Sequence, residues 1–95
     1  AVETAVDGVQ ALQRLGQQTF DAVICDVEMP RLDGFALTQA IRADARLQHL
    51  PVILVTSLER PEDRQRGLEA GAQAYITKGA FDQDTLLKTI ARLAG

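Results

Sequence analysis

Three short apolar runs stand out along the chain, and each stops on a polar residue. Phe20-Asp21-Ala22-Val23-Ile24-Cys25 stops at Asp26, Pro51-Val52-Ile53-Leu54-Val55 at Thr56, and Ala74-Tyr75-Ile76-Thr77 at Lys78. The first two are nearly continuous and rich in β-branched residues, which predicts strands covered on both faces. Residues 1–4 carry a weaker strand pattern. Helical spacing fills the intervals. Asp7 is placed to cap a helix with Val9, Leu12 and Leu15 on its apolar side and Gly16 near its end. Asp33 caps a second, with Phe35, Leu37, Ala40 and Ile41 inside it. A third follows Ser57, with Pro61 in its first turn, Glu62 and Asp63 near its positive end, and Gly71 suited to stop it. The last begins at Asp82 and carries Leu86, Leu87, Ile90, Ala91 and Leu93 at helical spacing.

Strand and helix therefore alternate four times. That order predicts an α/β fold: a parallel sheet with right-handed crossovers and helices on both faces. With 95 residues the chain can build one domain around one core. Its net charge of −3 comes with scattered basic residues, which argues against direct nucleic-acid binding. No apolar run is long enough for a bilayer and no signal peptide is visible, so the expected location is cytoplasmic, away from membrane. The lone Cys25 sits in an apolar run and reads as a buried, reduced thiol. With no second cysteine and only His49, a zinc site of the usual ligand types is not expected. His49 reads as a surface loop residue, not a phosphorelay histidine.

The chemistry lies where the strands end. In a parallel sheet the carboxyl ends share one edge, and open α/β sheets bind ligands in the crevice there. Asp26, Thr56 and Lys78 should therefore bring a carboxylate, a hydroxyl and an ammonium to one rim. Any one of them also fits the plainer reading that strands end in polar residues. The three together are harder to explain that way.

The loop Asp26-Val27-Glu28-Met29-Pro30-Arg31-Leu32-Asp33-Gly34 resembles the phosphorylation loop of response-regulator receiver (CheY-like) domains. The resemblance continues through Pro51-Val52-Ile53 to Thr56, then Gly67-Leu68-Glu69-Ala70-Gly71-Ala72, Tyr75 and Lys78, and covers essentially the whole chain. Val55-Thr56-Ser57 and Phe81-Asp82-Gln83 look most like receivers attached to chemotaxis-type sensor kinases, so the chain resembles part of a hybrid histidine kinase. The resemblance implies a flavodoxin-like sheet and a phosphoacceptor role in a two-component system. Asp26 would take a phosphoryl group from a histidine kinase or phosphohistidine domain, with Mg²⁺ held by Asp26 and the backbone carbonyl of Glu28. Lys78 and Thr56 would bind phosphoryl oxygens. Tyr75 would turn inward as the Thr56 loop moves, changing the face built from residues 61–70, the Tyr75 strand and the last helix, which a downstream target reads. Tyr75 also has a plainer reading as a strand aromatic covering the core. No independent enzyme is expected beyond self-catalysed phosphorylation and dephosphorylation.

One departure from the family is large. Receivers begin with a strand that ends in adjacent metal-binding acids and is followed by a helix. Here the pattern opens on what looks like the second strand, and Glu3 and Asp7 are not equivalents of those acids. Residues 1–95 therefore read as a partial receiver lacking a βα unit. In the flavodoxin-like order 2-1-3-4-5 the missing strand would leave a gap in mid-sheet and exposed edges. The chain would then be a fragment, would close the gap, or would pair with a second copy into a homodimer. Association is the expected outcome, and these residues alone are expected to bind Mg²⁺ weakly and accept phosphate poorly or not at all. The competing reading is a receiver-like interaction module without phosphorylation. A haloacid-dehalogenase phosphatase fails because Glu28 and Pro30 stand where Asp and Thr are needed. A flavin protein fails for want of a Ser/Thr/Gly-rich phosphate loop.

Overall fold

The alternation becomes β1 (Val2–Ala5), α1 (Gly8–Leu15), β2 (Ala22–Cys25), α2 (Gly34–Ala43), β3 (Val52–Thr56), α3 (Pro61–Ala70), β4 (Ala74–Thr77) and α4 (Gln83–Ala94). This computed structural model describes residues 2–78 and 83–94. The expected starts at Ala1 and Asp82, Phe81, and the side chains of Leu86, Ile90 and Leu93 lie outside the described residues.

The helix ends follow local chemistry. Asp7 caps α1 by accepting from Val9 N and Gln10 N, and Asp33 caps α2 by accepting from Ala36 N. Pro61 sits in the first turn of α3, where its missing N–H costs nothing. Gly71 ends that helix at φ 113, a left-handed conformation that glycine adopts without steric cost.

The four strands are all parallel, in the order β1-β2-β3-β4. Of the outcomes expected for a missing central strand, this is the one in which the remaining strands close the gap. β1 pairs directly with β2, Val2 opposite Ala22 and Ala5 opposite Cys25. The physical reason is that backbone N–H and C=O groups along facing strands are satisfied most simply by each other. The remaining order is the flavodoxin-like one with no strand between β1 and β2.

Register fixes the two faces of the sheet. Ala5, Val23, Cys25, Val52, Leu54 and Tyr75 share one face and enter the main core with Ala11, Leu15, Phe35, Leu37 and Ile41. Helices α1 and α2 pack together, as do α2 and α3, so all three cover that face. Fully burying a side chain such as Leu37, Ile41 or Leu54 contributes about 1.5–3 kcal/mol each. On the opposite face Ala22 and Ile53 are fully buried, and α4 contacts β2. Ile24, Val55 and Ile76 are only half-buried there and Val2 is exposed, so cover on this face is thinner than the unbroken apolar runs suggest.

Candidate functional site

The parallel register puts the ends of β2, β3 and β4 on one rim. Asp26 follows β2 directly, Thr56 is the last residue of β3, and Lys78 follows β4. The backbone N–H of Lys78 donates to the Thr56 carbonyl at 2.7 Å, extending the ladder by one step past the strand end.

The Lys78 ammonium lies 2.7 Å from Asp26 Oδ2, with both side chains partly open to solvent. The other carboxylate oxygen, Oδ1, accepts from Glu28 N at 3.0 Å, an Asx turn that orients the carboxyl group. The Asp26 carboxylate, and secondarily Glu28, hold Lys78 above the ordinary lysine range. Lys78 is therefore a fixed positive charge beside a solvent-reachable carboxylate.

Thr56 is placed differently. It is fully buried, and its hydroxyl oxygen accepts from Leu58 N at 3.2 Å. That bond leaves the hydroxyl proton available for donation. Tyr75 is already inward: the residue is 4 % exposed and its hydroxyl donates to the Leu58 carbonyl at 2.9 Å. Burial raises its pKa. The ring fits because α3 carries Gly67 opposite it; a Cβ there would come within 2.8 Å of the tyrosine ring. So Tyr75 serves in the core and also tethers the loop after Thr56.

The Glu28 side chain, as well as its carbonyl, takes part in the site. Ser57 Oγ donates to Glu28 Oε1 at 3.2 Å, linking the loops after β2 and β3. One further residue escapes the sequence reading. Arg31 has φ 67, and its Nε donates to Asp7 Oδ2 at 2.8 Å. This pairing leaves no local signal, because it depends on loops meeting across the fold. Glu3 and Asp7 are occupied elsewhere, Glu3 by Arg14 at 2.9 Å and Asp7 by Arg31. Cys25 is buried, and desolvation pushes its thiol up to about 12, so it stays protonated and inert.

The oxygen donors suit a hard cation such as Mg²⁺, which takes one or two carboxylates and fills its remaining positions with water and phosphate oxygens. Asp26 and the Glu28 carbonyl are the groups here that could hold it. Among the described residues no three His, Cys, Asp or Glu side chains converge. None of the described helices is long and apolar enough to cross a membrane.

Comparison with known proteins agrees with this geometry. The family model of the response regulator receiver domain matches residues 1–91. The gliding motility regulatory protein of Myxococcus xanthus is 42% identical over 93 residues, covering 98% of this chain and 12% of that protein. The chain thus spans a small part of this relative's length. Protein PilH of Pseudomonas aeruginosa is 45% identical over 94 residues, covering 98% of this chain and 74% of PilH. The receiver domain of the P. aeruginosa sensor histidine kinase PA1611, solved with a magnesium ion in its active-site cleft, superposes with a TM-score of 0.84. It is 33% identical, with 96% of this chain and 74% of that one covered. With a carboxylate and an ammonium paired at the carboxyl rim of a parallel sheet, and a family match over nearly its whole length, the chain belongs to the response regulator receiver domains.

Proposed function

We propose that Asp26 is the phosphoacceptor of this receiver. The observation that carries the reading is the Lys78–Asp26 pair at 2.7 Å on the strand-end rim. A carboxylate oxygen of Asp26 would attack the phosphorus of a phosphohistidine on a partner kinase. The P–O bond forms as the P–N bond breaks, and the histidine nitrogen leaves with the bonding electron pair and takes up a proton from solvent. Lys78 is positioned to move from the carboxylate to a phosphoryl oxygen. Thr56 would turn its hydroxyl proton toward another.

Mg²⁺, when bound, neutralises charge on the transferring group. Asp26 and the Glu28 carbonyl would hold it, and so small a donor set among the described residues would make the affinity weak. Movement of Thr56 would pull on Leu58, which Tyr75 tethers, and so change the face of α3, β4 and α4. A histidine kinase upstream and a downstream target protein are the proposed partners, in a cytoplasmic, chemotaxis-type pathway. A homodimer through the free edges of β1 and β4 belongs to the same proposal. The small donor set is the one observation favouring the alternative, an interaction module without phosphorylation.

The test is labelling of the full-length protein with radiolabelled acetyl phosphate and Mg²⁺. Acid-stable, alkali-labile label that disappears in Asp26→Asn supports the reading. Label that persists in Asp26→Asn, or no label in the wild type, overturns it.

A further inference from the structure

The loop that carries Asp26 holds a strained turn. Leu32 N donates to Pro30 O at 2.8 Å, and the residue between them, Arg31, has φ 67. This is the positive-φ γ-turn, a rare and strained form. Arg31 is the only described non-glycine residue at positive φ. Such conformations persist where the surroundings over-determine them.

The surroundings here come from α1. Asp7 divides its carboxylate between two tasks. Oδ1 caps the helix through Val9 N and Gln10 N, and Oδ2 accepts from Arg31 Nε at 2.8 Å. The next residue, Gly8, presses its backbone on the turn: a Cβ there would lie 2.0 Å from the Leu32 carbonyl oxygen. At the far end of the loop, Gly34 N donates to Val27 O at 2.9 Å, and a Gly34 Cβ would come within 2.5 Å of the Asp26 carbonyl oxygen. The loop between Asp26 and Gly34 is therefore held from two sides.

We propose that Arg31 and Asp7 form a latch that positions the phosphorylation loop, with Arg31 a positioning residue for phosphoryl acceptance at Asp26. The arginine contributes nothing to the reacting atoms. It keeps the γ-turn closed by anchoring it to the start of α1, and the closed turn sets where the Glu28 carbonyl and the Asp26 carboxylate stand. The arginine side chain is half exposed and the pair is screened by water, so the latch is marginal. The Arg31 hydrogen bond holds the Asp7 carboxyl below its usual range, so the anchor keeps its charge well into acid.

The inference rests on the phosphoacceptor reading, and its test separates the two. Leu32 amide exchange reports the turn, and acetyl-phosphate labelling reports the chemistry. Asp7→Asn keeps a good helix cap and removes the anchoring charge. Arg31→Ala removes the anchor and keeps the strain. In both, Leu32 exchange should rise about two- to fivefold, the range an exposed ion pair supports, and labelling should fall by up to the same factor. Arg31→Gly loses the pair but adopts positive φ freely, so it should restore Leu32 protection and labelling to near wild type. Wild-type exchange and labelling in Asp7→Asn and Arg31→Ala would overturn the latch. So would Arg31→Gly labelling as slowly as Arg31→Ala, because Arg31 would then act through its charge. If the wild type takes no label at Asp26, the phosphoacceptor reading fails, while the exchange data still decide whether the latch exists.

Discussion

The two ends of the sheet use cations in opposite ways. At the amino end, Arg42 in the last turn of α2 spends its guanidinium on backbone and amide acceptors. Its Nε donates to Gly71 O at 2.9 Å, and Nη1 donates to Leu50 O at 2.7 Å and Gln48 O at 3.2 Å. Nη2 donates to Gln73 Oε1, which also accepts from Val52 N. Two loop segments, before β3 and before β4, are stapled by one side chain, and no charge opposes it among these partners. At the carboxyl end, the Lys78 ammonium meets one carboxylate, beside a loop that carries backbone strain. A saturated cation holds structure in place. A cation with one partner in reach of solvent can exchange that partner for a phosphoryl group.

This contrast is broken most strongly by Lys78→Ala. Removing a preorganised cation from where charge develops should slow Asp26 labelling on the order of 10²-fold or more. The urea midpoint should barely move, because exposed pairs add little stability. Arg42→Ala should do the reverse. Carbonyls left without donors should lower stability by about 1–3 kcal/mol in urea unfolding, with labelling per folded molecule unchanged. A variant at either end that affected both readouts equally would erase the distinction.

A smaller effect sharpens the carboxyl end. Lys78 is raised by its pairing with Asp26, so the folded chain binds the lysine proton more tightly than the unfolded one. Its stabilising contribution is fully present below the unfolded value of about 10.4 and is lost as pH rises through the folded value. Nζ-detected NMR titration should place Lys78 above the ordinary lysine value and return it toward that value in Asp26→Asn.

Much of this was legible in the chain because the signals are local. Asp7 and Asp33 cap helices through their own neighbours, Gly71 stops α3 by its own backbone, and polar residues end apolar runs where strands leave the core. Asp26 and Lys78 could be paired in advance because parallel topology brings strand ends together whatever lies between. The closing of β1 onto β2 was one of three outcomes the sequence left open, since edge pairing depends on which strands are within reach and not on the strands' own residues. Arg31 and Arg42 look like ordinary surface arginines in sequence. Their roles arise from partners 24 and 29 residues away.

The account depends on one pocket serving three strands, and ¹⁹F NMR of beryllofluoride with Mg²⁺ tests it directly. Bound-fluoride resonances should appear in the wild type, vanish in Asp26→Asn, and shift or weaken in both Thr56→Ala and Lys78→Ala. Resonances indifferent to Thr56 and Lys78 would mean that these side chains do not share an anion with Asp26, and would contradict the account.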